Sequence, residues 1–159
     1  MSRIVHIISA VAVALVLNNP AWPGESADEQ QIIKTVKETW KKLAAKEVSD
    51  GLVSPAGTIN AQSSGGLWMN VERETFATYM KESPNTLKFT PYHINVKFLG
   101  QEKDVAYVTY YLVGKIVREG KDDIANYRTR ASNVMEKTDG KWVNSGAHYS
   151  PLFGGSGVE

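Results

Sequence analysis

The sequence predicts an α+β domain in which helices from the N-terminal half pack on one face of a curved antiparallel sheet. Two observations support this class. Apolar residues recur at helical spacing up to Pro84, and beyond it they alternate every two residues, as in β-strands. The strand-like segments are also long and are joined by short turns with no helix between them. An order of helices first and strands afterwards favours this class over alternating βαβ units.

The first 27 residues have the composition of a secretory signal peptide. Arg3 precedes an apolar run at residues 4–17, which is shorter than the about 20 residues that a membrane-spanning helix needs. Small residues suited to cleavage follow at 21–27, and no single cleavage site stands out. We therefore expect a protein exported to the periplasm or the medium, with no stable membrane association once the signal is removed. The alternative is an uncleaved N-terminal anchor.

A first amphipathic helix is expected at residues 28–47. Its apolar side chains recur every three or four positions and include Trp40, and lysines occupy the opposite side. Ser26 and Glu29 have the spacing of an N-terminal capping box. The lysine-rich side is therefore interpreted as a solvated helix face.

A loop and a second helix are expected next. Residues 48–70 are rich in glycine and proline, which predicts a loop with one short strand at 58–62. Asn70 is the expected N-cap of the second helix, and Phe76 begins an apolar pair one turn apart. Pro84 follows the expected end of this helix.

The remaining sequence predicts four long strands, at residues 92–98, 105–117, 125–137 and 141–151. The second of them is apolar on both faces, so both faces must be covered. We expect helices to cover one face and a partner subunit to cover the other. Residues 28–152 then form one domain, and the glycine-rich residues 153–159 form a flexible tail.

Composition excludes several classes of function. Eighteen basic residues against 17 acidic ones leave a formal charge of +1, which argues against nucleic-acid binding. The absence of cysteine excludes disulfides, zinc ribbons and thiol catalysis. The histidines and carboxylates do not have metal-ligand spacing, no phosphate-binding loop precedes a helix, and no Gly-x-Ser-x-Gly motif occurs. We expect neither a metal nor a cofactor.

The last predicted hairpin contains an Asp-Gly-Lys-Trp turn that ends at Trp142, followed by His148 six residues later and then by Ser150. This spacing resembles the closing hairpin of the nuclear transport factor 2-like superfamily, also called the cystatin-like α+β cone. The similar branches are the polyketide-cyclase-like proteins and the association domain of calcium/calmodulin-dependent kinase II. The order of predicted elements over residues 28–152 also matches this superfamily.

The resemblance implies a cone with a mostly apolar pocket between the sheet and the helices. Members of the superfamily use this pocket for isomerisation, dehydration, epoxide hydrolysis, cyclisation or binding alone, so the fold does not select a reaction. Two positions depart from the kinase branch. Gly146 stands where that branch has a second histidine, and Asn133 stands where it has an arginine. The pocket charge of that branch is therefore not carried over.

His148 is the first candidate for chemistry. Strict strand alternation puts it on the same face as Trp142, where an imidazole can act as a general acid or base. Tyr107 is a candidate partner, since dehydratases of the superfamily use tyrosine with histidine. The alternatives are a structural histidine and tyrosines that only pack.

The other candidates are pocket residues. Arg130 lies two positions from Arg128 and is suited to bind an anion, with a solvated strand edge or local ion pairs as the alternative. The predicted ligand pocket consists of Trp40, Phe76, Arg130, Asn133 and His148. No aspartate or glutamate lies inside the strands at 92–98 and 105–117, so the paired acids of a ketosteroid-isomerase mechanism are missing there.

The sequence therefore predicts an exported domain that binds a small, partly apolar molecule and dimerises through the outer face of its sheet. Whether it is an enzyme stays open, with binding preferred. The enzyme alternative is a cofactor-free lyase or isomerase that uses His148 with a tyrosine. The third interpretation is an oligomerisation module without a ligand.

Overall fold

The computed structural model describes residues 26–152, which form two helices and one six-stranded sheet. The predicted tail lies outside the described residues, and so does the predicted signal peptide apart from residues 26 and 27. Helices precede the long strands as expected, so the α+β class is confirmed. Neither helix of the described part is long and apolar enough to span a bilayer.

The first helix, α1, spans Ala27–Ala44 and buries one apolar stripe against the sheet. Its buried residues are Ile32, Val36, Trp40 and Leu43. Ser26 caps the helix, since its Oγ accepts a hydrogen bond from the Glu29 backbone N–H at 3.1 Å. The cap and the helical spacing confirm the sequence prediction, although α1 ends three residues before the expected 47.

Two short strands precede the second helix. Strand β1 spans Thr58–Ala61, and β2 spans Met69–Val71. Asn70 belongs to β2 and pairs with Ile59, so the prediction that it caps the helix is wrong. Helix α2 spans Arg73–Glu82, with Glu72 at the N-cap position and no side-chain capping bond.

Four long strands complete the sheet, and its strand order is β2-β1-β6-β5-β4-β3. They span Asn85–Leu99 (β3), Val105–Arg118 (β4), Ile124–Thr138 (β5) and Lys141–Pro151 (β6). Neighbouring strands are antiparallel except for β1 and β6, which are parallel. Strand β3 begins earlier than the predicted residue 92 and includes Pro91, which an edge strand tolerates.

Strand β4 shows how alternation divides the sheet into an inner and an outer face. Val108, Tyr110 and Leu112 are buried on the inner face, which packs against the helices. Tyr107 and Tyr111 are exposed on the outer face. The prediction that β4 is apolar on both faces is confirmed, and the described residues cover only one of them.

A β-bulge interrupts this alternation in β6. Val134 and Met135 are consecutive in β5, and their partners in β6 are Gly146 and Asn144. Ser145 is therefore an extra residue without a partner in β5. Asn144 is buried on the inner face, while Gly146 lies beside the exposed Val134 on the outer face.

The bulge moves His148 to the outer face. It pairs with Ser132 in β5 and is exposed. The expectation that His148 shares a face with Trp142 is therefore wrong, because one inserted residue reverses the orientation of every later side chain. A second bulge between Tyr92 and Asn95 includes His93, whose φ is +51°, and leaves Tyr92 exposed on the outer face.

Candidate functional site

A cavity of about 220 Å³ lies between the two helices and the inner face of the sheet. Helix α1 contributes Trp40, and α2 contributes Phe76 and Met80. The sheet contributes the polar and aromatic side chains Tyr110, Tyr127, Asn133, Asn144 and Tyr149. The cavity is therefore placed where the superfamily resemblance predicts a pocket.

Aromatic rings form one wall of this cavity. The ring of Trp40 meets those of Phe89 and Tyr149 edge to face, with centroid distances of 5.5 and 5.9 Å. Phe89 also stacks on Tyr127 at 4.3 Å. Such a wall offers both ring faces and ring edges to an apolar ligand.

The side chains that line the cavity carry no carboxylate, amine, guanidinium or imidazole group. Their polar atoms belong to amides, hydroxyls and one indole. Trp40 Nε1 donates a hydrogen bond to Tyr110 Oη at 3.1 Å, and the hydroxyls of Ser63 and Tyr127 are 2.9 Å apart. The side-chain groups that form hydrogen bonds at this site are therefore uncharged groups.

Burial keeps two of the tyrosines protonated. It raises the pKa of Tyr110 well above its ordinary value, and the neighbouring Tyr149 adds to the effect. Burial also raises the pKa of Tyr149 to about 12, against the opposing effect of side-chain hydrogen bonds with Tyr110 and Asn133. Both phenols are therefore neutral hydrogen-bonding groups near pH 7.

A chain of amide and hydroxyl groups extends from the cavity towards β1. Asn133 Nδ2 donates to Asn144 Oδ1 at 2.7 Å, and Asn144 Nδ2 donates to Thr58 Oγ1 at 3.3 Å. Thr58 Oγ1 in turn donates to Asn60 Oδ1 at 3.0 Å. At the cavity end of this chain, Asn133 Oδ1 is buried and has no hydrogen-bond partner.

The predicted pocket residues separate into two groups. Trp40, Phe76 and Asn133 line the cavity, and their contact with a ligand stays a prediction. Arg130 and His148 lie on the outer face and do not line it. Arg130 and Asn133 differ by an odd number of positions on β5, so they face opposite sides of the sheet.

A second concavity, of about 470 Å³, lies on the outer face and is lined by the candidate residues that do not line the inner cavity. Its lining includes His93, Tyr107, Tyr111, Arg130 and His148. Tyr111 is paired with Arg130, and no carboxylate belongs to the lining. The predicted pair of His148 and Tyr107 is thus on the outer face, not in the cavity.

The sequence interpretation missed several cavity residues. Tyr110 could have been assigned from its alternation with Val108 and Leu112, which face the core. Tyr149 and Asn144 could not be assigned together, because only the bulge at Ser145 brings both to the inner face. Asn60 required the parallel pairing of β1 with β6, which the sequence does not indicate.

The described residues contain no group of three or more histidine, aspartate or glutamate side chains that is arranged to hold a metal ion. The cavity also contains no side chain that is a good base near neutral pH. Its lining offers aromatic surfaces for stacking and uncharged groups for hydrogen bonding.

Solved structures similar to this one come from several organisms. The association domain of C. elegans CaMKII matches with a TM-score of 0.58 and 19% identity, covering 79% of this chain and 97% of the other. An NTF2-like protein of unknown function from Shewanella oneidensis MR-1 matches with a TM-score of 0.56 and 20% identity, covering 76% and 97%.

An uncharacterised protein with a cystatin-like fold from Caulobacter vibrioides matches with a TM-score of 0.59 and 15% identity. It covers 81% of this chain and 91% of the other. Identities this low show the fold alone, and that fold is the α+β cone that the closing hairpin indicated.

A comparison with curated proteins found no match. The model of the SnoaL-like domain matches residues 49–154, which is more than half of the chain. This chain therefore belongs to the SnoaL-like domain family, among proteins of the NTF2-like fold.

Proposed function

We propose that this protein binds a small, partly apolar molecule in the inner cavity. The observation that carries the proposal is an aromatic cavity whose lining includes Asn133, a residue whose buried side-chain oxygen, Oδ1, has no hydrogen-bond partner. A buried polar atom without a partner costs about 1–3 kcal/mol. A bound molecule that donates a hydrogen bond to this oxygen would remove that cost.

The size of the cavity supports a ligand with one or two rings. An engineered cavity of about 150 Å³ in another protein admits benzene, and the cavity here measures about 220 Å³. Trp40 and Phe76 face it from the two helices, so a flat molecule would contact aromatic side chains on more than one side.

Native mass spectrometry of the purified protein is the direct test. We expect an added mass of a small molecule that denaturation releases. Phe76→Ala should reduce its retention, while Tyr107→Ala on the outer face should not, because only Phe76 lines the cavity. If the protein dimerises but retains no molecule and takes up no neutral aromatic probe, an assembly module without a ligand replaces the binding proposal.

We also infer a homodimer that is formed by the outer face of the sheet. Ile59, Tyr92, Tyr107, Tyr111 and Val134 are large apolar residues that are exposed on this face. Large exposed apolar side chains that share one face are typical of surfaces that bind another protein, and a second copy of the chain would cover them. Sedimentation velocity at micromolar concentration should show a dimer, and a single monomeric species would contradict this inference.

Export is part of the same proposal and is supported by the apolar run that follows Arg3. Cell fractionation followed by N-terminal sequencing is the test. A chain that begins at or near residues 21–27 in the periplasm or the medium would agree with the proposal. An intact N-terminus in the cytoplasm would contradict it.

The enzyme alternative finds little support in the geometry. It requires His148 and a tyrosine within reach of each other in the cavity, but His148 lies on the opposite face of the sheet. The cavity tyrosines with shifted pKa values hold their protons more tightly than free tyrosine does. Binding is therefore the function that the site supports best.

A further inference from the structure

Asn133 is the cavity-lining residue that has a buried side-chain atom without a hydrogen-bond partner. Three buried side-chain atoms lack a hydrogen-bond partner among the described residues, namely Thr129 Oγ1, Asn133 Oδ1 and Ser145 Oγ. Of these three residues, only Asn133 lines the cavity. Its side chain is 93% buried, since 7% of its surface is exposed.

The hydrogen-bond chain sets the direction of this amide. Asn133 Nδ2 donates a hydrogen bond to Asn144 Oδ1 at 2.7 Å, and Asn133 Oδ1 is left without a partner. Reversing the Asn133 amide alone would place two amide oxygens against each other at that distance. Reversing Asn144 as well would break its bond to Thr58 unless that hydroxyl and Asn60 also changed. In this arrangement of the chain, the atom of Asn133 that lacks a partner is an acceptor.

The rest of the lining restricts the charge of the ligand. A buried carboxylate or ammonium group needs a partner of opposite charge, and no side chain that lines the cavity is a cation or an anion near neutral pH. Tyr110 and Tyr149 hold their protons up to high pH, so they do not supply an anion either. A neutral molecule meets no such cost.

We propose that the ligand is an uncharged molecule of one or two rings that bears a hydroxyl or N–H group, and that Asn133 Oδ1 accepts the hydrogen bond from this group. The inference rests on the proposed binding function and adds the chemistry that the cavity selects. Rings would contact the aromatic wall around Trp40, and the donor would pair with Asn133 Oδ1, the buried side-chain acceptor of the cavity lining that has no partner.

Three matched probes test the inference on the purified protein. They are 2-naphthol, which has the donor, 2-methoxynaphthalene, which lacks it, and 2-naphthoate, which is charged. Each is titrated while the Nε1–H resonance of Trp40 is followed by NMR, because this indole lines the cavity. We expect 2-naphthol to bind about tenfold more tightly than 2-methoxynaphthalene, as one hydrogen bond to a buried acceptor implies. We expect 2-naphthoate to bind least.

Asn133→Leu removes the acceptor while keeping a side chain of similar length. In this variant the preference for 2-naphthol over 2-methoxynaphthalene should fall to within about twofold, whereas the matched outer-face variant Tyr107→Phe should keep it. The comparison of probes on the unaltered protein stands even if Asn133→Leu does not fold.

The outcomes separate the two proposals. Equal or tighter binding of 2-methoxynaphthalene would overturn the inference about Asn133 and leave the binding function in place. Preferred binding of 2-naphthoate would overturn the inference that the ligand is uncharged. If none of the probes binds and the purified protein retains no small molecule, the binding function fails and the inference fails with it.

Discussion

The inner and outer faces of the sheet are made by the same strands but differ in the charge of the side chains that they present. On β5, Asn133 lines a cavity without charged side chains, and Arg130, three positions earlier, lines the outer concavity together with two histidines. The inner face is suited to a neutral small molecule, and the outer face is suited to a second protein surface. One strand thus presents two different surfaces because its side chains alternate between two environments.

The largest expected difference between the faces is in stability. Leu112→Ala should lower the free energy of unfolding by about 2–5 kcal/mol, because this residue is fully buried and its truncation leaves a cavity. Tyr111→Ala, at the adjacent position that is exposed in the monomer, should cost the monomer less than about 1 kcal/mol. Urea unfolding followed by circular dichroism measures both variants. Equal losses would contradict the assignment of the two faces.

The second prediction concerns the proposed dimer. Val134→Glu places a carboxylate beside Tyr107 on the exposed outer face, and the twofold symmetry of the dimer would bury two such carboxylates. We expect the dimer dissociation constant to rise about a hundredfold or more. Sedimentation equilibrium measures this change. Binding of 2-naphthol in the inner cavity should be unchanged, and a variant that stays dimeric would exclude this face as the interface.

The third prediction concerns alkaline pH. Burial raises the pKa of Tyr149 to about 12 from the ordinary value of 10.0. Between these values the unfolded chain loses the phenolic proton and the folded chain keeps it, so stability falls as pH rises through this window. Tyr149→Phe should lose less stability between pH 10 and 12 than the unaltered protein does. Parallel curves from urea unfolding across this range would contradict the buried phenol.

The smallest expected effect is that of His148→Ala. Because His148 lies on the outer face and does not line the cavity, affinity for 2-naphthol should stay within about twofold of the unaltered protein. The Trp40 resonance titration provides this measurement, with Asn133→Leu as the sensitive counterpart. A large loss of affinity in His148→Ala would place this histidine back in the binding site.

The class of the fold and most of its elements follow from local patterns. The stripe through Trp40 predicts α1, and alternation predicts the long strands, because burial of one side of an element shows in its own sequence. The closing turn at Trp142 indicated the family, which the match over residues 49–154 confirms. The wrong prediction that Asn70 caps the second helix shows the limit of local patterns, because Asn70 pairs with β1 and this pairing is not visible in the local sequence.

The candidate site was predicted only in part. The sequence assigned three residues to the pocket that line the cavity in the structure, namely Trp40, Phe76 and Asn133. Each follows the regular alternation of its own helix or strand, so its orientation could be predicted from the local sequence. His148 was assigned to the wrong face, and Tyr149 and Asn144 were missed as cavity residues. His148 and Tyr149 follow the bulge at Ser145, which reverses their orientation and leaves no mark in the sequence.

The sequence by itself determined the α+β class, the inward position of Trp40 on the first helix, and the absence of aspartate and glutamate from the strand segments 92–98 and 105–117. Only the tertiary structure decided which side of the sheet His148 faces and which polar atom stays unpaired. The physical reason is that a strand's own residues set its alternation, whereas the position of a bulge depends on the register with neighbouring strands. One extra residue, Ser145, thereby moves the histidine out of the cavity and brings Tyr149 into it.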